Sequence, residues 1–417
     1  MSGFAVVGQK KLNGFVNLHG AKNSVLPILA GTLVVEGVSV IHNCPQLSDV
    51  EAAVKILEHL GAQVERKGHT LTVDATYVEG CEIPDVLMRE MRSSIVFLGA
   101  VIARRKGAVL SSPGGCELGP RPIDLHISAL KDLGVSIDES GGVLDCRCFN
   151  GLKGTEITLS FPSVGATENI ILAAVTAKGT TVIHNAAREP EISDLADFLN
   201  SAGANVQGAG SDRIEIKGVK ALFSTEHTVI PDRIEAATYL CAAAVTGGKI
   251  TLQNCVSGHL TPVLSTLKSA GCNIMVHNRN VTLIAPARLK RVPVIRTMPY
   301  PGFPTDAGSP MMALFSVAEG SSMFIENIFE NRFRIVDELN RMGAKITTNG
   351  RVAVVEGVYN LSGANVECTD LRGGAALVVA ALAAKGVTTI GKIEHINRGY
   401  ENLVENLEAL GADITRF

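Results

Sequence analysis

The chain has 417 residues, of which 46% are hydrophobic, 19% charged and 42 are glycine, with a formal net charge of −3. That length exceeds one ordinary core and calls for two large domains or a repeat architecture. Near-neutral charge with 4% aromatics and no Trp argues against nucleic acid or an anionic membrane as a general partner.

Met1 to Phe4 carries no basic stretch followed by an apolar one, so no secretory leader is expected. The apolar runs at 25–35, 94–103 and 375–384 are each cut short by charge, Gly or Pro, and none is expected to span a bilayer. Nine cysteines are scattered without a CxxC, and Cys146-Arg147-Cys148 has the wrong spacing for a zinc knuckle. These features predict a soluble, cytoplasmic protein with thiols kept reduced, most of them in the core, and no metal site.

A phrase of the form apolar-x-x-Leu/Ala/Met-Gly-small-x-apolar recurs along the chain. Its glycines are Gly61, Gly134, Gly203, Gly271, Gly343 and Gly411, spaced 73, 69, 68, 72 and 68 apart. Each has the form of a helix C-terminus, with glycine in the left-handed position and a strand after it. A second set, Gly37, Gly107, Gly179, Gly248, Gly320 and Gly386, precedes the first by 23 to 27 residues and ends an apolar helix. Each of the six units therefore reads strand, buried helix, strand, amphipathic helix, then one or two strands. The buried helices are predicted at 24–35, 93–104, 166–177, 234–245, 309–318 and 373–384. Two compact α/β domains of three units each accommodate them.

Between the second unit's strand and its amphipathic helix lies Ser111 to His126, with three glycines and three prolines in sixteen residues. Such a stretch is predicted to be an exposed, movable loop. It carries Cys116 between Gly115 and Glu117, with Arg121 nearby. A thiol in that setting is either a reactive group or a small apolar residue that happens to fall in a loop.

The buried helices begin with similar punctuation but different residues. Lys22 and Asn23 open the first, Arg92 the second, Ser163, Val164 and Gly165 the third, Asp306 the fifth, and Asp370 and Arg372 the sixth. Helix N-termini carry unpaired N–H groups and favour anions, so cations there do not serve the dipole. Each cation is either a solvated charge, a partner of a neighbouring Asp, or part of an anion-binding surface. Asp306 and Asp370 fit N-caps. Arg332, Arg334 and Arg398 are further basic positions.

Taken together, these residues resemble the UDP-N-acetylglucosamine 1-carboxyvinyltransferase family of enolpyruvyl transferases from end to end. The carrying motifs are Gly20-Ala21-Lys22-Asn23, Gly114-Gly115-Cys116 through Arg121-Pro122-Ile123-Asp124-Leu125-His126, Ser163-Val164-Gly165-Ala166-Thr167 and Phe303-Pro304-Thr305-Asp306. They continue in Phe329-Glu330-Asn331-Arg332-Phe333, Thr369-Asp370-Leu371-Arg372 and Arg398-Gly399-Tyr400. Family members often carry Gln shortly after the catalytic Asp and Lys before Ser-Val-Gly; here Ala307-Gly308-Ser309-Pro310 and Phe161-Pro162 stand instead.

The resemblance implies a two-domain inverted α/β barrel of six βαβαββ units, with residues 22–229 as one domain, 1–21 plus 230–417 as the other, and the active site in the cleft between them. It implies transfer of enolpyruvyl from phosphoenolpyruvate to the 3′-hydroxyl of UDP-N-acetylglucosamine, the first committed step of peptidoglycan precursor synthesis, and so a part in cell-wall growth and division. Cys116 is then the acid and the target of fosfomycin, Asp306 the base, and Asp370 an aid to proton handling. Lys22, Arg121 and Arg398 face the phosphate; Arg332 and Arg372 clamp the carboxylate; Arg92 is a further cleft arginine. Asn23, Arg121, Pro122, Ile123, Asp124, Leu125, Ser163, Val164, Gly165, Ile328 and Phe329 match contacts to the nucleotide sugar. No cofactor is implied. Two other readings are 5-enolpyruvylshikimate-3-phosphate synthase, which lacks the cysteine loop, and a UDP-sugar-binding paralogue without turnover.

Overall fold

A computed structural model describes residues 3–91, 93–111 and 123–417. The chain divides into two compact units, one formed within residues 20–230 and the other by the N-terminal segment to residue 19 together with 231–417.

Each unit holds three four-stranded sheets of one pattern: a parallel edge pair, then two antiparallel neighbours. In the third repeat, Glu156–Thr158 runs parallel to Thr180–His184, which pairs antiparallel with Arg213–Lys217, and Val206–Gln207 closes the sheet. Two sheets in the discontinuous unit are completed by the start of the chain. Asn13–Asn17 lies parallel to Lys249–Gln253. Phe4–Val7 is inserted between Val387–Gly391 and Asp413–Arg416, with Phe4 opposite both Ile390 and Arg416. The other unit closes on itself through Thr225–Thr228, which returns to pair with Val38–His42 of its first sheet.

The buried helices are Lys22–Thr32, Phe97–Arg105, Val164–Ala174 in one unit and Arg233–Val245, Gly308–Phe315, Leu371–Ala383 in the other. They are apolar nearly all round and buried nearly all round, so their stability comes from packing rather than from one greasy stripe. Leu240 and Leu377 are fully buried; truncating either to Ala is worth about 2–5 kcal/mol. Gly99 lets two of these helices close up, because a Cβ there would meet the Asn169 carbonyl oxygen at 2.3 Å. Amphipathic helices such as Ser48–His59 and Pro190–Ser201 cover them.

The six recurring glycines from Gly61 to Gly411 all have positive φ, between 89° and 105°, as a left-handed helix end requires. The earlier set is less uniform. Gly37, Gly179, Gly320 and Gly386 are left-handed, but at Gly107 and Gly248 the turn is made one residue sooner, by Lys106 and Gly247. Gly248 serves close approach instead, since a Cβ would sit 2.2 Å from the Leu12 carbonyl oxygen. Among the described residues no helix is long and apolar enough to cross a membrane.

Candidate active site

In the discontinuous unit the starts of the fifth and sixth buried helices and the 3-10 helix Arg332–Ile335 bring four predicted residues together. Asp306 sits in the short 3-10 turn Thr305–Ala307 that leads into Gly308–Phe315. Its carboxylate does not cap that helix, contrary to expectation. Oδ1 accepts from Arg332 Nη2 at 2.6 Å, and Oδ2 lies 3.2 Å from Arg372 Nη2 and 3.3 Å from Arg372 Nε. Two guanidinium groups offer stronger partners than backbone N–H groups, so the cap is forfeited. Both arginines are 3% exposed.

Asp370 does cap its helix, accepting from the N–H groups of Arg372 at 2.9 Å and Gly373 at 3.0 Å. The cap fixes the backbone from which Arg372 projects. The guanidinium of Arg372 lies over the Tyr400 ring, 5.4 Å from its centroid, and that of Arg332 over Phe329 at 5.5 Å. Burial alone would lower the affinity of Arg372 for its proton, but Tyr400 and Asp306 beside it more than offset this and hold it above the ordinary arginine value. Arg372 Nη1 is buried and has no hydrogen-bond partner among the described residues. A buried guanidinium N–H without an acceptor suits an oxygen brought by a ligand. Arg398 ends the 3-10 helix Ile393–Arg398 and is half-buried; Ile328 and Phe329 are half-buried too.

In the other unit Lys22 is the first residue of its helix and 8% exposed. Its ammonium lies 2.8 Å from the carboxylate of Asp49, which is buried on Ser48–His59. Asn23 beside it is half-buried. Ser163 caps the third buried helix through the Ala166 N–H at 3.3 Å. Behind that cap, Asn169 Oδ1 accepts from the Gly99 N–H at 2.7 Å, and its amide nitrogen donates to the Ile95 carbonyl at 3.0 Å and to His126 Nδ1 at 2.9 Å. His126 therefore holds its proton on Nε2. Burial pushes its pKa down to about 4, against a weaker pull from Asp124. Gly165 faces the same imidazole: a Cβ there would lie 3.1 Å from His126 Cε1. Ile123 and Leu125 are half-buried at the start of Asp124–Asp132, and Asp124 is exposed. Val164 is half-buried as well.

Arg92, Cys116, Arg121 and Pro122 lie outside the described residues. The other eight cysteines are reduced thiols, outside any disulfide among the described residues. Burial pushes Cys146 and Cys272 up to about 11 and Cys255 and Cys368 up to about 12, which makes them poor nucleophiles at neutral pH. Sequence reasoning did not single out Asp49, Asn169, Thr238 or Glu326. Thr238 Oγ1 bonds the Tyr400 hydroxyl at 2.8 Å, and Glu326 collects four donors around the Asp306 turn.

The EPSP synthase (3-phosphoshikimate 1-carboxyvinyltransferase) family profile matches residues 6–407. UDP-N-acetylglucosamine 1-carboxyvinyltransferase 2 of Caldanaerobacter subterraneus subsp. tengcongensis is 54% identical over 416 residues, covering 100% of each chain. UDP-N-acetylglucosamine 1-carboxyvinyltransferase 1 of Symbiobacterium thermophilum is 52% identical, covering 99% of this chain and 95% of that protein. Among solved structures, the enolpyruvyl transferase NikO from Streptomyces tendae is similar with a TM-score of 0.89 at 27% identity, over 100% of this chain and 98% of that one. An EPSP synthase from Acinetobacter baumannii shares the fold, with a TM-score of 0.78 at 20% identity over 100% of both chains.

Proposed function

The chain belongs to the EPSP synthase family of carboxyvinyl transferases, with the two-domain inverted α/β barrel fold of that family, and we propose that it transfers enolpyruvyl from phosphoenolpyruvate to the 3′-hydroxyl of UDP-N-acetylglucosamine. The observation that carries this reading is identity of 52–54% over essentially the whole chain to transferases named for that acceptor. The buried pair Arg332 and Arg372 supports it, because two guanidinium groups converging on one carboxylate have the geometry to hold another.

Chemically, the donor's C3 must gain a proton while the acceptor's hydroxyl oxygen bonds to C2, giving a tetrahedral ketal. Loss of a C3 proton and of phosphate then restores the double bond. Cys116 is assigned as the acid toward C3 and Asp306 as the base that takes the hydroxyl proton. Asp370, besides capping its helix, assists proton handling. Lys22, Arg121 and Arg398 neutralise the departing phosphate, with Arg92 adding charge. Arg332 and Arg372 hold the donor's carboxylate. Asn23, Pro122, Ile123, Asp124, Leu125, Ser163, Val164, Gly165, Ile328 and Phe329 hold the nucleotide sugar.

Without substrate Asp306 occupies both guanidinium groups. A carboxylate so clamped has both oxygens engaged by guanidinium donors. Arrival of the donor's carboxylate releases Asp306 from its two partners, so the base is unmasked when there is something to deprotonate. The reaction places the protein at the entry to peptidoglycan precursor synthesis in the cytoplasm, upstream of wall growth and division. Fosfomycin is expected to alkylate Cys116.

The test is phosphate release from phosphoenolpyruvate with UDP-N-acetylglucosamine or shikimate 3-phosphate as acceptor. Release with the UDP-sugar alone supports the reading. Release with shikimate 3-phosphate alone, or with neither, overturns it. In the same preparation fosfomycin should add one mass to the parent and none to Cys116→Ser.

A further inference from the structure

The repeats can be aligned by backbone hydrogen bonds rather than by residue type. Just after the strand that follows a buried helix, one N–H returns to the carbonyl of the residue immediately before the strand paired antiparallel with it. It is supplied by Cys44 to His69 at 2.8 Å, by Ala186 to Asp212 at 3.0 Å and by Cys255 to Arg279 at 2.8 Å. In the fifth repeat the donor is Glu326, to Arg351 at 2.8 Å. Cys44, Ala186 and Cys255 are small, apolar and at most 1% exposed, and each follows a left-handed asparagine, Asn43, Asn185 or Asn254. In the fifth repeat the asparagine follows the donor instead of preceding it: Asn327 Nδ2 donates to the Thr297 carbonyl at 3.0 Å, as Asn43 does to Val229 and Asn185 to Leu159. That repeat places a carboxylate, 2% exposed, where its sisters place a methyl or a thiol.

A buried carboxylate persists where donors surround it. Glu326 Oε1 accepts from the Thr297 hydroxyl at 3.0 Å and from the N–H groups of Ile328 at 2.7 Å and Phe329 at 3.0 Å. Oε2 accepts from the Thr305 hydroxyl at 2.9 Å. Thr305 immediately precedes Asp306, and its carbonyl accepts from Arg332 Nε at 3.2 Å. One side chain thereby ties the turn carrying the base to the segment carrying Ile328, Phe329 and Arg332.

We propose that Glu326 is a positioning residue, which sets the Asp306 turn against the 328–332 segment so that base and acceptor-binding backbone share one geometry. This inference rests on the assignment of Asp306 and of the acceptor made above. A misplacement of about 1 Å costs about 10²-fold in rate, and that is the scale of effect to look for.

In the full-length enzyme Glu326→Gln should lower kcat about 10²-fold and weaken UDP-N-acetylglucosamine binding in calorimetry. Thr305→Val should lower kcat while Thr305→Ser, which restores the hydroxyl, recovers most of it; a merely structural role would not separate the two. Parental kcat and affinity in Glu326→Gln would overturn the inference, as would equal rates for the two Thr305 variants. Should Glu326→Gln fail to fold, the Thr305 pair decides. Amide exchange at Ile328 and Phe329 gives a readout independent of turnover. Faster exchange in Glu326→Gln supports the tie even if the parent releases no phosphate, an outcome that would remove the transferase reading and leave the tie between the two segments standing. Unchanged exchange overturns it whatever the turnover.

Discussion

The two units use one scaffold and load it differently. In residues 20–230 one buried helix starts on the neutral cap of Ser163, with Asn169 behind it tying Gly99 to His126, and another starts on Lys22, whose charge is matched one-to-one by Asp49. In the discontinuous unit the equivalent region gathers Asp306, Arg332, Asp370 and Arg372, with the arginines almost fully buried. The repeat therefore specifies where helix starts fall, and the residues placed there specify the chemistry. A helix start with neutral caps is free to hold structure. One with two arginines and an aspartate in mutual contact carries charges that a bound ligand can rearrange.

The sharpest way to break this contrast is Asp306→Asn. If the carboxylate is a base masked by arginines, kcat should fall about 10²–10⁴-fold, while affinity for phosphoenolpyruvate holds or tightens because a competitor for Arg332 and Arg372 is gone. Steady-state kinetics and isothermal titration separate the two effects, and weakened donor binding with unchanged kcat would refute the masking.

The neutral side is tested through His126. Unfolded, its imidazole binds a proton near 6.5; folded, it resists until about 4. Between those values the unfolded state holds more protons, so stability should decline as pH falls from about 6.5 to about 4, by up to about 3 kcal/mol. Denaturant titrations at pH 7 and 5 should show a smaller decline in His126→Gln than in the parent. The smallest effect is expected at Ser163→Ala, about 1 kcal/mol from loss of the cap, read by thermal melting.

The repeat was legible because its signal is local. A glycine forced left-handed at each helix end and an apolar run before it are properties of a few consecutive residues, and Gly61, Gly134, Gly203, Gly271, Gly343 and Gly411 adopt positive φ as expected. Chemical roles came from resemblance to a family, not from spacing. The long-range partners stayed hidden. Asn169 lies seventy positions from Gly99 and forty-three from His126, and nothing near Asp49 announces Lys22. Glu326 reads locally as an ordinary surface acid; its difference emerges when the fifth repeat is laid over the others by hydrogen bonds. Asp306 misled the local reading, because cap residues and ligand-facing residues are drawn from the same short list.

The insertion of Phe4–Val7 between Val387–Gly391 and Asp413–Arg416 imposes an order on synthesis. Phe4–Val7 leaves the ribosome long before either neighbour, and at about 5–20 residues per second it waits on the order of twenty seconds to more than a minute for them. Meanwhile residues 20–230 emerge whole and hold every strand of their own three sheets. One half of the protein can thus complete itself during translation, while the half bearing Asp306 stays unfinished until Asp413–Arg416 has emerged.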